Sequence, residues 1–205
     1  MNFFMKVVSA VLHPLLIATY LMMVLYFFAP ELFGGLGARR IPILIAATAI
    51  TTFLIPGLSM GMMRLTSKIT SLELSSRDER FMPFLTITLF YGVTTYMFIT
   101  QFRVGPLFAV MMILVTSLIF ILSIITLRFK ISIHAAANWA STGILTYLAV
   151  MSSPALFYPL IGSILCSGLV CTSRLYQGLH SPREIWIGSV FGYTFCLLGL
   201  FILQP

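Results

Sequence analysis

Apolar runs long enough to cross a lipid bilayer follow one another along almost the whole chain. A transmembrane helix needs about 20 consecutive apolar residues, and seven stretches of the sequence are close to that length. They lie near residues 7–28, 41–63, 82–100, 106–127, 132–151, 155–172 and 185–203. The connections between them are too short to hold a soluble domain. The sequence therefore predicts one integral membrane domain over residues 1–205, an all-α bundle of about seven transmembrane spans.

Charge content excludes a water-soluble globule. Only 8% of the residues are charged, whereas soluble domains carry roughly 25%. The N-terminal apolar run is longer than the roughly 7–15 residues of a signal-peptide core and has no small-residue cleavage site, which favours a first membrane helix. Three cysteines, Cys166, Cys171 and Cys196, fall inside predicted spans. We expect buried thiols there, not a disulfide framework.

The basic residues are divided unequally between the two faces of the predicted bundle. We call the face that carries the N-terminus the N-terminal face; the connections at 64–81, 128–131 and 173–184 return to it, because two helices separate each from the next. It also holds His134 and His180. Nine of the twelve basic residues lie on this face: Lys6, Arg64, Lys68, Arg77, Arg80, Arg128, Lys130, Arg174 and Arg183. The positive-inside rule explains these residues by itself, but it does not explain two histidines at span boundaries.

A formal net charge of +7 does not indicate a nucleic-acid partner, because the chain has no long basic run and no basic-aromatic platform. In a membrane protein the charge is explained by topology, by anionic lipid headgroups and by an anionic substrate. We expect membrane lipids and no nucleic acid as partners. The sequence leaves the oligomeric state open.

The segment SRLYQGLHSPRE, residues 173–184, gathers the charge of an otherwise apolar last third. Glu184 follows His180 by four residues, so one helical turn would bring its carboxylate to the imidazole. Such a bond fixes the tautomer and leaves the other ring nitrogen free as a nucleophile or base. Arg174 offers a planar fork of donors suited to phosphate oxygens. Residues 181–184 are also a capping box with proline at the first helical position, so Glu184 has two candidate roles.

The spacing S-R-x5-H-x3-E resembles the third signature, S-R-x5-H-x3-D, of the type 2 phosphatidic acid phosphatase family, with Glu184 where aspartate is usual. The second signature of that family, P-S-G-H, stands at the start of a membrane helix. The stretch ISIH at 131–134 is similar to it and keeps Ser132 and His134 at the start of the fifth predicted span.

The first family signature, K-x6-R-P, is matched only in part. The stretch SSRDERFMPF, residues 75–84, supplies Arg77, Arg80 and Pro83, and no lysine stands seven residues before Arg80. All three stretches follow in the family order on the N-terminal face, and the resemblance covers roughly residues 64–203. It implies a six-helix phosphatase-like core plus an extra helix.

The resemblance implies a lipid phosphate or diphosphate phosphatase that works without a metal or other cofactor through a phosphohistidine. His180 takes the position of the nucleophile, and Glu184 would orient it. His134 would protonate the leaving oxygen and then activate water. The side chains that would bind the substrate phosphate are Arg174, Arg80, Arg77, Ser132 and Ser173.

Several alternatives stay open from the residues alone. Ser132 is equally suited to a helix N-cap, and Arg77 and Arg80 to local ion pairs with neighbouring carboxylates. An interfacial position without a role in the site is the alternative for His134. His13, inside the first span, is expected to bond a neighbouring helix. For the whole protein, a non-catalytic lipid-binding or transport relative is the main alternative. A two-histidine haem protein is disfavoured because His134 and His180 stand at helix ends beside charged residues.

The predicted location is a membrane, and for this chain we expect the bacterial inner membrane. Seven spans place the site on the N-terminal face, opposite the C-terminus. The positive-inside rule predicts that this face is cytoplasmic, whereas the resemblance implies an extracytoplasmic site. Four glycines, Gly57, Gly162, Gly188 and Gly192, are predicted to let helices approach closely.

Overall fold

The structure, a computed structural model, describes residues 3–34, 36–37, 39–71 and 79–203. Within these ranges the chain is helical with short connections and has no strand. The helices are α1 (Phe3–Val11), α2 (Pro14–Phe28), α3 (Arg40–Ala49), α4 (Ile55–Leu65), α5 (Phe81–Met97), α6 (Pro106–Arg128), α7 (Ile133–Met151), α8 (Phe157–Tyr176) and α9 (Pro182–Leu203). The predicted all-α architecture is confirmed.

Five stretches of the described chain are long and apolar enough to cross a bilayer. A π-helical turn, Ile50–Leu54, joins α3 and α4 into one rod, and a second, Phe98–Phe102, extends α5. The five are Arg40–Leu65, Phe81–Phe102, Pro106–Arg128, Pro154–Tyr176 and Pro182–Leu203. Each coincides with a predicted span to within a few residues, and the bent pair of α1 and α2 makes six if it counts as one span.

The first predicted span, residues 7–28, is wrong as a single straight helix, because α1 and α2 meet at 63°. Pro14 causes the break: it lacks an N–H group and disfavours helical angles at the preceding residue. His13 accordingly has the extended angles φ −67° and ψ 139°. The carbonyl of Leu12 at the break accepts a hydrogen bond from Nδ2 of Asn138 on α7, at 3.2 Å. Backbone freed at membrane depth needs such a partner.

Helix α7 matches the predicted span 132–151 in its bounds but is not among the five stretches that qualify by length and apolarity. It lies against α8 and α9 and also contacts α2, and ten of its nineteen residues are buried. Its hydroxyl groups bond neighbouring helices: Thr142 Oγ1 lies 2.7 Å from Ser163 Oγ and 3.0 Å from Ser167 Oγ on α8. A helix that faces protein needs small and polar contact residues more than lipophilic ones.

Two of the four glycines named above confirm close packing, and two do not. A Cβ atom at Gly188 would lie 2.7 Å from the backbone oxygen of Ser132, and one at Gly192 would overlap the backbone of Ala136. Around Gly57 and Gly162 a Cβ would meet nothing within 4 Å, so the prediction is wrong for those positions. The backbone of α9 thus lies directly against the backbone at the start of α7. This close contact fixes the position of the first turn of α9 relative to that of α7.

Helix ends converge on one end of the bundle. Helices α5, α7 and α9 begin there, and α6 and α8 end there. The backbone N–H of Ser132 donates to the carbonyl of Glu184 at 3.3 Å, which joins the starts of α7 and α9. From this end α9 runs on to Leu203. The described residues of the three resemblance stretches, 79–84, 131–134 and 173–184, therefore stand at or near helix ends on the same side of the fold.

Candidate functional site

A cavity of about 730 Å³ lies beside these helix ends, within the range of about 300–1,000 Å³ typical of small-molecule sites. Three histidines line it: His13, His134 and His180. The described lining residues include four basic side chains, Lys6, Arg80, Lys130 and Arg174, and no acidic one. The polar end of the cavity is therefore electropositive and suited to an anion.

His180 lies in the turn before α9, and its Nδ1 atom is 2.7 Å from Oε2 of Glu184 on the first turn of that helix. An ionised carboxylate can only accept hydrogen bonds, so Nδ1 carries the proton. The second ring nitrogen, Nε2, then keeps its lone pair. The contact expected from the four-residue spacing is present, in the geometry that a nucleophilic imidazole needs.

The charge state of His180 fits the same role. Burial lowers the pKa of His180 from its usual value of 6.5, and the positive charges of Arg174 and Lys130 lower it further. The hydrogen bond and charge of Glu184 act in the opposite direction. The net effect is a lowered pKa, so the imidazole is neutral near pH 7 and protonates only below its usual range.

Glu184 fills both of its candidate roles with one oxygen atom. Oε2 also accepts from the backbone N–H of Ser181 at 3.4 Å, and Ser181 Oγ accepts from the backbone N–H of Glu184 at 3.4 Å. These two capping contacts are long, whereas the bond to His180 is short. Lys130 Nζ lies 4.0 Å from the same oxygen. The geometry favours the histidine as the principal partner of Glu184.

Arg174 and Arg80 reach the cavity from different helices. Arg174, near the end of α8, is 7% exposed, and its Nη1 donates to Ser9 Oγ at 3.0 Å. Arg80, directly before α5, is 6% exposed, and its Nη1 donates to the carbonyl of Thr126 at 3.2 Å. Two buried guanidinium forks beside one cavity suit an oxyanion such as a phosphate or a carboxylate.

His134 stands on the first turn of α7 and lines the same cavity as His180. Its ring centroid is 5.1 Å from that of His13, in an edge-to-face arrangement. Helix α7 therefore brings a second imidazole to the electropositive end of the cavity, as the resemblance implied for this position.

The two serines among the predicted phosphate ligands do not line the cavity. Ser132 is fully buried, and its Oγ caps α7 by accepting from the backbone N–H of Ala135 at 3.3 Å. Ser173 Oγ donates to the backbone oxygen of Met5 on α1 at 2.7 Å. The structure gives both hydroxyls roles in holding helices. Arg77 lies outside the described residues.

Polar residues that were not expected at the cavity include His13, Ser9 and Lys130. The break at Pro14 turns α1 onto the end of α8 and carries His13 and Ser9 to the site. Nδ1 of His13 accepts from the backbone N–H of Leu15 at 3.3 Å, so the neutral ring carries its proton on Nε2. The signal in the sequence was an imidazole followed by proline inside an apolar span, and polar residues in such spans are functional candidates by default.

Comparison of the chain with protein-family models, with curated proteins and with solved structures finds no match. Function must therefore be inferred from the residues and their geometry. The arrangement combines an oriented neutral histidine, a second histidine, and two buried arginines at the basic end of a largely apolar cavity. These are the groups that nucleophilic phosphoryl transfer to histidine requires.

Proposed function

We propose that this protein is a membrane-embedded phosphatase of lipid phosphates or diphosphates that acts through a phosphohistidine at His180. The observation that carries the proposal is the 2.7 Å contact between His180 Nδ1 and Glu184 Oε2, beside a cavity that Arg174 and His134 also line. The resemblance of this segment to the type 2 phosphatidic acid phosphatase signatures supports the same chemistry.

The reaction has two steps. In the first, Nε2 of His180 attacks phosphorus, a P–N bond forms, and the bond from phosphorus to the leaving oxygen breaks. His134 donates a proton to that oxygen, so the lipid leaves as an alcohol, or as a monophosphate from a diphosphate. In the second, His134 takes a proton from water as the water oxygen attacks phosphorus. The P–N bond breaks, inorganic phosphate is released, and neutral His180 and protonated His134 are regenerated.

The remaining groups position His180 or neutralise charge on the phosphate. Glu184 holds the tautomer of His180 and stabilises the charge that the ring gains during attack. Arg174 and Arg80 neutralise the equatorial oxygens as negative charge spreads over them, which is the main contribution of proteins to phosphoryl transfer. Arg77, by its place in the sequence, is a further candidate for the same task.

The proposal includes a seven-span topology, with α1 and α2 as one broken span and α7 as a central, more polar one. It places the protein in the bacterial inner membrane, with the site on the N-terminal face and the C-terminus on the other. We assign the N-terminal face to the extracytoplasmic side, on the grounds of the resemblance. A six-helix core plus an extra helix follows from the same reasoning.

A non-catalytic lipid-binding or transport protein is the second candidate, because the cavity continues from its basic end between apolar side chains. Such a protein would bind the same amphiphiles without releasing phosphate. Phosphate release therefore separates the two candidates.

The test is phosphate release by the purified protein from a panel of lipid phosphates and diphosphates in detergent. We expect release that is insensitive to chelators, abolished in His180→Ala, and reduced by about 10²–10³-fold in Arg174→Ala, the usual cost of losing a transition-state donor. Arg183→Ala is the matched control, since Arg183 is an exposed basic residue of the same segment and should leave activity unchanged. Activity that survives in His180→Ala would remove the proposed nucleophile, and a strict requirement for magnesium would exclude this mechanism.

A further inference from the structure

The cavity continues well beyond its basic end. On α7 both His134 and Ile144 line it, and ten residues of helix correspond to about 15 Å. On α6 both Thr126 and Val115 line it, which corresponds to about 16 Å. Two helices with opposite directions thus give the same depth, about half of the roughly 30 Å hydrocarbon core of a bilayer.

The deep part of the cavity is lined by apolar side chains from four different helices. Representative lining residues are Leu21 on α2, Ile87 on α5, Val115 on α6 and Ile144 on α7. Leu21 and Ile87 are each 8% exposed, and Ile144 is fully buried. The walls of the deep part are therefore formed by apolar side chains of helices, so a ligand there lies between helices.

We infer that this channel holds one apolar chain of the ligand while its phosphate group lies among Lys6, Arg80, Lys130 and Arg174. The ligand class is an amphiphile with a phosphate or diphosphate head and at least one apolar chain, which enters the protein from the bilayer. The identity of the head rests on the proposed function, whereas the place of the chain follows from the shape and lining of the cavity.

The depth of the channel makes chain length a determinant of affinity. Each methylene group that enters the channel adds about a fourfold gain in affinity relative to water. The gain ends when the chain reaches the depth of about 15 Å. Inorganic phosphate, which has no chain, binds the basic end alone and should be the weakest ligand of the series.

Val115 offers a way to shorten the channel without touching the basic end. It lies eleven residues from Thr126 on α6 and contacts both hydrophobic clusters of the core. Val115→Phe would place a ring in the deep part of the channel. Ile113 on the same helix is 41% exposed on the outer surface, so Ile113→Phe is a matched control for the added aromatic ring.

The experiment measures binding of n-alkyl phosphonates of four to sixteen carbons, which cannot be hydrolysed, to the protein in lipid nanodiscs. At each chain length the ratio of wild-type to variant affinity cancels partitioning of the ligand into the lipid. For Val115→Phe we expect a ratio near one for the shortest chains, rising to at least tenfold for the longest. For Ile113→Phe we expect a ratio near one throughout, and melting curves confirm that both variants are folded.

The inference would be overturned if the ratio of wild-type to Val115→Phe affinity did not change with chain length. Equal binding of short and long chains by the wild-type protein would also overturn it. The outcome is independent of catalysis. Chain-dependent binding without phosphate release from any alkyl phosphate would reject the phosphatase and keep the channel. Phosphate release without a chain-length effect in binding would reject the channel and keep the phosphatase.

Discussion

The side chain of Glu184 shares one oxygen atom between an imidazole and a helix N-terminus. Oε2 lies 2.7 Å from His180 Nδ1 and 3.4 Å from the backbone nitrogen of Ser181. A short bond to an ionisable ring is stronger than a long bond to a backbone N–H. The carboxylate therefore acts chiefly on His180, as a positioning residue for the proposed nucleophile.

Glu184→Gln separates the two roles by a pH profile. The substitution removes the negative charge that raises the pKa of His180, so that pKa should fall further below 6.5. Because the neutral ring is the active form, activity at neutral pH should drop through kcat while the acidic limb of the rate profile moves to lower pH. If Glu184 only caps α9, the limb stays in place, and both activity per folded molecule and stability are nearly kept, because the amide oxygen of glutamine can accept the same backbone hydrogen bond. Rates from pH 4 to 8 and melting of one preparation distinguish these outcomes.

At the residue scale, the sequence predicted what depends on local geometry. The contact between His180 and Glu184 follows from a four-residue spacing at the start of a helix, and the place of Arg174 follows from the length of its apolar run. The parts that depend on long-range packing were out of reach. Ser173 was expected at the phosphate but donates to Met5 on α1, a contact 168 residues distant in the sequence.

At the scale of elements, the break at Pro14 and the close approach of α9 to α7 place the site residues. The break turns α1 onto the end of α8, where Nε2 of Gln177 donates to the backbone oxygen of Met5 at 3.3 Å. The proline and the preceding histidine were visible in the sequence. The angle of 63° and the helix that receives α1 were not, because they depend on which partner satisfies the freed carbonyl of Leu12.

Gly192→Ala tests the approach of α9 to α7. A Cβ atom there would overlap the backbone of Ala136, and backbone cannot give way as the end of a side chain can. We expect a loss of about 1–3 kcal/mol, the range for overpacking, measured as a lower melting temperature in detergent. Gly162→Ala on α8 is the control, since nothing lies within 4 Å of its Cβ position. Equal melting of the two variants would contradict the close approach.

At the scale of elements, the sequence predicted which segments are helices better than it predicted which residues face a neighbouring helix. The five stretches that qualify as spans were predicted because each is long and strongly apolar, as a helix that crosses a bilayer must be. Gly188 and Gly192 were predicted correctly as contact points, but Gly57 and Gly162 look the same in the sequence. Only the positions of the neighbouring helices distinguish a glycine in an interface from one that faces open space.

At the scale of the whole molecule, the cavity changes how the charge asymmetry is interpreted. In the proposed seven-span arrangement, nine basic residues belong to the N-terminal face and three, Arg39, Arg40 and Arg103, to the other face. Four of the nine, Lys6, Arg80, Lys130 and Arg174, line the cavity and have a reason to be there that is unrelated to insertion. Without these four, five basic residues on the N-terminal face stand against three on the other face, which is a weak topological signal. The positive-inside rule therefore no longer opposes an extracytoplasmic site strongly.

The orientation is tested by labelling single cysteines in intact cells with a maleimide that does not cross the membrane. In a background without Cys166, Cys171 and Cys196, Thr66→Cys reports the N-terminal face and Ser152→Cys the other; both positions are exposed. We expect Thr66→Cys to react from outside and Ser152→Cys to react only after permeabilisation. Reaction of both from the same side would refute the seven-span arrangement. The reverse pattern would keep that arrangement but place the site in the cytoplasm, where the lipid phosphate would have to be presented from the inner leaflet.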